Sequence, residues 1–218
     1  YKITHMDFKD FLESISKIKN IPLPAESSQF KMMPSYRKEL IAMQKEAMKH
    51  AKQSAVLALF YPDVEQNTRI ALILRKTYKG VHSAQIGFPG GKIEDVDNDL
   101  IDTALRETYE EIGVVPEHIT VVKEMTQVYI PPSNYRVQPY VGFTDKTPNF
   151  ILQEEEVEAL LEVPVTDFLD DTKIVNTQVM TSLKKTMRVP AFEFNNHIVW
   201  GATAMMLSEV KDLLKAVF

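Results

Sequence analysis

Apolar residues at Phe8, Phe11, Leu12, Ile15 and Ile18 recur at intervals of three and four. That spacing places them along one side of a helix, and Asp7 stands where it can cap the first turn. A second helix is predicted over Tyr36 to Lys52, with Leu40, Met43, Ala47 and Met48 on one face. Between the two, the segment from Ile21 to Pro34 contains Pro22, Pro24 and Pro34. It reads as a linker, because proline fixes φ and lacks a backbone donor. From Ser54 the pattern changes to short β-rich runs. Ala55 to Phe60 and Arg69 to Leu74 are predicted strands joined by a turn over Pro62 to Asn67. A helix seated by Ile101, Leu105 and Ile112 follows, and then strands near Ile119 to Tyr129 and Val137 to Phe143. Glu154 to Glu162 is predicted as a helix ended by Pro164, with a short helical turn at Thr166 to Leu169. Strands over Lys173 to Val179, Thr186 to Phe194 and His197 to Trp200 precede a closing amphipathic helix from Gly201 to Val217.

The chain therefore divides into a helical extension over 1–53 and a mixed α+β domain over 54–218. Its 218 residues suffice for one sizeable core. A formal net charge of −5 without a long basic run argues against nucleic acid as a partner. The absence of cysteine excludes disulfides and thiolate zinc sites. No apolar run reaches the length of a membrane span, so no membrane partner is expected and the cytoplasm is the expected compartment. The first residue is Tyr1, not Met, which leaves room for a missing original N-terminus. The apolar faces of the two N-terminal helices, rich in Phe and Met, would support a homodimer or cap their own domain.

Candidate chemistry concentrates in residues 90–114. Glu107, Glu110 and Glu111 fall within an arc of roughly 100° on a helix, away from Ile101, Leu105 and Ile112. Clustered carboxylates repel unless something positive lies between them. A hard divalent cation such as Mg²⁺ or Mn²⁺ suits such oxygen ligands. Arg106 stands four residues before Glu110 and can hold that carboxylate in place. Gly90 and Gly91 precede the helix and Gly113 follows the acids, bracketing the cluster with tight backbone features.

Gly91, Arg106, Glu107, Glu110, Glu111, Gly113 and Val114 fit a pattern that resembles the Nudix hydrolase box, Gly-x₅-Glu-x₇-Arg-Glu-U-x-Glu-Glu-x-Gly-U with U a bulky aliphatic. Two positions depart from it. Thr108 replaces the first aliphatic, and Asn98 stands eight residues before Arg106 where Glu is expected. Asp97 lies six residues after Gly91, so the loop reads as one residue longer than standard. The run from His82 to Gly91, ending Phe88-Pro89-Gly90-Gly91, is similar to the coenzyme A diphosphatase-like subfamily. Leu72, Arg75 and Phe88 to Gly91 fit that subfamily's motif; Ala71, Ile73, Lys76, Gly80 and Ala84 do not.

The resemblance implies a Nudix α/β/α sandwich with a mixed sheet over about Ser54 to Phe218, preceded by helices. It implies divalent-metal-dependent hydrolysis of a nucleoside diphosphate derivative, with Mg²⁺ or Mn²⁺ held by Glu107, Glu110, Glu111 and the main-chain carbonyl of Gly90. Coenzyme A or a derivative is the leading substrate, giving 3′,5′-ADP and 4′-phosphopantetheine. An ADP-ribose or dinucleotide pyrophosphatase is the enzymatic alternative, and a weakly catalytic Nudix-fold nucleotide-binding protein the alternative of another class. The general base would be Glu107 or an acid from Glu154 to Glu158, of which Glu156 best fits the subfamily. The same acids also read as an ordinary helix start. Arg75 is a candidate phosphate contact. The segment Tyr129 to Tyr135 reads as a rigid turn, or as a substrate contact in which Tyr129 or Tyr135 stacks on a base and Ser133 or Asn134 meets a substrate oxygen. His82 reads as a loop residue, and Trp200 as core.

Overall fold

The computed structural model describes residues 5–76, 85–181 and 185–218. His82, Ala84 and Gly80, singled out above, lie outside these residues. Helix α1 (Phe8–Ile15) is capped by Asp7, whose carboxylate accepts from the Lys9 amide at 2.9 Å. A 3₁₀ turn (Ser16–Asn20) carries its apolar face on to Ile18. Helices α2 (Ala25–Gln29), α3 (Arg37–Met43) and α4 (Lys45–Lys49) follow. Strands β1 (Lys52–Pro62), β2 (Thr68–Arg75), β3 (Ile86–Gly87) and β4 (Gly90–Lys92) lead into helix α5 (Leu100–Ile112). Then come β5 (Thr120–Glu124), β6 (Val128–Ile130), β7 (Tyr135–Phe143), β8 (Val157–Pro164) and helix α6 (Val165–Leu169). Strands β9 (Ile174–Met180), β10 (Thr186–Phe194) and β11 (His197–Trp200) form a small antiparallel sheet before helix α7 (Gly201–Lys215).

The other eight strands make one mixed sheet, ordered β3-β2-β1-β7-β5, with β4 on β1, β6 on β7 and β8 on β2. Strand β1 pairs parallel with β7 and antiparallel with β2 and β4. It is buried on both faces, and its alternation assigns the layers. Leu57, Leu59 and Tyr61 point to the side covered by α5, with Ala104 and Ile112. Ala58 and Phe60 point to the opposite side, with Phe8 and Phe11 of α1 and Leu207, Val210 and Leu214 of α7. Strand β2 repeats the division through Ala71 and Ile73 against Ile70 and Leu72. This is the expected α/β/α arrangement. Phe8, Phe11, Ile15 and Ile18 are buried within their own chain, the Phe11 ring 4.9 Å from that of Phe60. They are therefore not a face that a second copy would cover. No described helix is long and apolar enough to cross a membrane.

Three predicted elements differ. The segment Glu154 to Glu162, predicted as a helix, is a turn followed by β8, whose register sets Leu161 opposite Leu72 and Val163 opposite Ile70. Its many glutamates suggest a helix, but Val157, Leu161 and Val163 are buried while Glu158 and Glu162 are exposed. That alternation satisfies β2, and pairing with β2 outweighs local propensity. The linker Ile21 to Pro34 contains α2, because Pro24 sits at its N-cap, where a missing donor costs little. Ser28, Gln29 and Met32 are buried: the Ser208 hydroxyl donates to the Ser28 carbonyl at 2.8 Å, and the Gln29 amide donates to Glu209 at 3.0 Å. The helix over Tyr36 to Lys52 breaks at Gln44, whose side-chain oxygen lies 3.1 Å from the Tyr129 hydroxyl. Met43, expected on an apolar face, is 81% exposed.

Candidate active site

Helix α5 begins at Asp99, whose carboxylate accepts from the amides of Ile101 and Asp102. It ends at Gly113, whose φ of 77° is left-handed backbone. An added Cβ there would meet Ile151 at 2.9 Å. The glycine thus lets the chain turn sharply beneath residues 150–153. These two ends fix the rotation of the helix, and with it the direction of its acids.

Arg106 organises the loop before α5. Its guanidinium forks onto Asp97, Nε to Oδ1 and Nη2 to Oδ2 each at 2.8 Å. It also donates to Glu110 at 3.0 Å, to Glu107 at 3.2 Å and to the Lys92 carbonyl at 3.0 Å. Asp97 further accepts from the Glu94 amide and the Thr103 hydroxyl, each at 2.9 Å. The Arg106 fork in particular holds the Asp97 carboxyl well below the usual carboxylate range. The depressed pKa means that the stabilisation is full above the unfolded value, about 4, and is lost as pH falls below it. Asp97→Asn is therefore expected to lower stability at pH 7 by about 1.5–3 kcal/mol. The deficit should shrink as pH falls below about 4, where the unfolded chain's carboxyl takes up a proton while the folded one, held lower by Arg106, stays ionised until still lower pH. Urea denaturation of both proteins across that range checks it; a deficit independent of pH would contradict the charge-based account.

The three glutamates occupy different environments. Glu111 is 1% exposed, with one oxygen accepting from the Gly90 amide at 2.8 Å and the other from Arg75 at 2.9 Å. Burial pushes its carboxyl up to about 7, against the pull of Arg75 and the Gly90 amide, and Glu107 and Glu156 add to the rise. Burial also raises Glu107, opposed by Arg106, and Glu110 and Glu156 again add to the rise. The side chain of Glu110 is 53% exposed. Gly91 leaves room for Glu107: an added Cβ would lie 2.4 Å from its carboxylate. Arg75 bridges the cluster by donating to the Gly90 carbonyl at 2.7 Å as well as to Glu111.

These groups border a cavity of about 520 Å³. Arg75, Gly90, Glu107, Glu110 and Glu156 line it, while Glu111 and Arg106 stand behind the lining. Tyr129, Ser133 and Asn134 do not reach it with their side chains. The Tyr129 hydroxyl donates to Asn134 Oδ1 at 2.9 Å, Asn134 holds a left-handed φ of 53°, and Ser133 Oγ is buried without a partner among the described residues. The turn they form instead presents Ile130, Pro131, Pro132 and Tyr135 to the cavity. Trp200, read as core, borders the cavity too. So do Tyr36, Arg37 and Leu40 of the N-terminal segment, which sequence reasoning missed. Their surroundings carry no motif that would have flagged them.

Among the described residues no three acidic or histidine side chains converge on one point as a ready metal site. The donor set nevertheless fits a hard divalent cation: carboxylate oxygens and a main-chain carbonyl, with buried acids that raise one another's pKa. The Arg75 guanidinium lies between two of those oxygens, the Gly90 carbonyl and Glu111.

The NUDIX domain pattern matches residues 51–183. Over 147 residues the chain is 31% identical to an uncharacterized Nudix hydrolase NudL of Pectobacterium atrosepticum, covering 66% of this chain and 71% of that one. It is 27% identical over 157 residues to the peroxisomal coenzyme A diphosphatase ndx-8 of Caenorhabditis elegans, covering 71% of this chain and 65% of that one. It also spans about half of some longer relatives, such as the chloroplastic Nudix hydrolase 22 of Arabidopsis thaliana, at 53%. Among solved structures, the M. smegmatis Nudix hydrolase RenU superposes with a TM-score of 0.52 at 12% identity, over 77% of this chain and 88% of that one.

Proposed function

The chain belongs to the Nudix family, and from that premise we propose that it hydrolyses the diphosphate linkage of coenzyme A or a coenzyme A derivative. The products would be 3′,5′-ADP and a 4′-phosphopantetheine species. One observation carries the reading: a single cavity joins the acids Glu107, Glu110 and Glu156 beside Gly90 to an apolar end formed by Leu40, Ile130, Pro131 and Tyr135. A diphosphate fits the first end and a nucleoside the second. The likeness to a relative named as a coenzyme A diphosphatase supports the choice of substrate.

Glu107, Glu110, Glu111 and the Gly90 carbonyl would hold Mg²⁺ or Mn²⁺. Such an ion, when bound, neutralises phosphate oxygens and lowers the pKa of a coordinated water. Glu107 and Glu156 line the cavity where a carboxylate can take the proton from attacking water. Arg106 fixes the direction of Glu107 and Glu110 from behind. Arg75 lies where its guanidinium can turn from Glu111 to a phosphate oxygen without leaving the cavity.

Product masses and kcat/KM for coenzyme A, dephospho-coenzyme A and ADP-ribose, each with Mg²⁺ and Mn²⁺, test the reading. Coenzyme A is expected to be cleaved at the diphosphate and to exceed ADP-ribose. A preference for ADP-ribose of about tenfold, or 1.4 kcal/mol, would reject the substrate and leave the diphosphatase chemistry intact.

A further inference from the structure

Arg37 opens α3 and is only 7% exposed. Its guanidinium donates to the Tyr129 carbonyl, which ties the N-terminal segment to β6. A guanidinium has five donors in a rigid fork, and among the described residues no carboxylate pairs with this one. Burial pulls its pKa down to about 10, opposed by the neighbouring Tyr36 phenol. Burying an unpaired cation is costly, and Arg37 nevertheless lines the cavity.

Its place in that cavity is defined by the sheet. Gly90 pairs with Val56 of β1, β1 pairs with β7, and β7 pairs with β6 through Val137 and Val128. Ser54, Val56 and Val137 line the cavity between them. Arg37, attached to β6, thus lies about three strand spacings from Gly90, roughly 14 Å at the backbone. The lining acids Glu94, Glu107, Glu110 and Glu156 belong to the other end, on the loop after β4, on α5 and before β8. Around Arg37 the lining is Pro34, Tyr36, Leu40, Ile130 and Pro131; burial raises the Tyr36 phenol above its usual value, so none of these offers an anion near neutral pH.

We propose that Arg37 is an anion subsite that binds a phosphomonoester on the nucleoside part of the substrate, away from the scissile diphosphate. It would make the enzyme prefer a ribose-phosphorylated nucleotide over its dephosphorylated counterpart. This rests on the diphosphatase reading for the orientation of the substrate, but its test does not depend on turnover. Trp200 borders the cavity and is the only tryptophan in the chain, so its fluorescence can report binding.

Titration of the full chain with 3′,5′-ADP and with 5′-AMP compares two ligands that differ by one phosphate and contain no diphosphate to cleave. The wild type is expected to bind 3′,5′-ADP about tenfold or more tightly than 5′-AMP, the size of one charge-assisted contact. In Arg37→Gln the ratio should fall close to one, with a melting curve showing a folded protein. Arg37→Lys keeps the charge but loses the fork, and should give an intermediate ratio. It serves as the reporter if the glutamine variant does not fold. Equal affinities in the wild type, or an undiminished ratio in the variants, would overturn the subsite. If the phosphate preference follows Arg37 but coenzyme A is not hydrolysed, the subsite stands and the substrate reading fails.

Discussion

Glu111→Gln is expected to lower turnover by about 10²-fold or more while the protein still folds. The side chain is buried, with one oxygen on the Gly90 amide and the other on Arg75. Glutamine has nearly the same shape, but it removes the charge that a divalent ion would need. Its amide NH₂ must also face a donor, because both partners of Glu111 are donors. That mismatch costs stability, whereas relief of a buried carboxylate crowded by Glu107 and Glu156 offsets part of the loss. Steady-state turnover at saturating Mg²⁺, with a thermal melt alongside, checks both halves. Near-normal turnover would show that Glu111 is not a metal ligand.

Gly90→Ala should act on the fold itself, with a loss above about 3 kcal/mol or no folded protein. Gly90 holds a φ of 146°, and an added Cβ would lie 2.3 Å from the Ala55 carbonyl and 2.6 Å from Val56 Cα. Both obstacles are backbone of β1, the strand that pairs with β2, β4 and β7. A flexible side chain could swing aside; a central strand cannot. Moving β4 instead would also pull the Gly90 amide from Glu111 and its carbonyl from Arg75. A melting temperature within about 2 °C of wild type, at most about 1 kcal/mol for a chain of this size, would contradict the packing argument.

What the sequence revealed depended on how local the cause was. Arg106 reaching Glu110, the glycine ending α5 and the run of β1 follow from spacing and from what single residues permit. The role of Asp97 was legible as an acid displaced by one residue, but its fork with Arg106 emerges only when the loop folds back over α5. Strand β8 was misread because Glu154 to Glu162 has a composition suited to a helix; only the free edge of β2 makes its alternation decisive. The contact between Arg75 and Glu111 joins residues 36 apart. Arg37 meets Tyr129 across 92 residues. No periodicity encodes either pairing, so the part of the apolar end supplied by Tyr36, Arg37 and Leu40 was invisible, while the turn before Tyr135 and the acidic end could be singled out from their residues.

The docking of α2 on α7 has a consequence for biosynthesis. Gln29 meets its partner Glu209 across 180 residues. At roughly 5–20 residues per second, a ribosome needs roughly 9–36 s to make that stretch. Throughout that interval Ser28, Gln29 and Met32 have no α7 to lie against, and the phenylalanines of α1 lack the helix that completes their layer. The segment carrying α1 and α2 therefore reaches its final packing among the last of these elements, because its apolar side chains stay without their covering helix until α7 has been made.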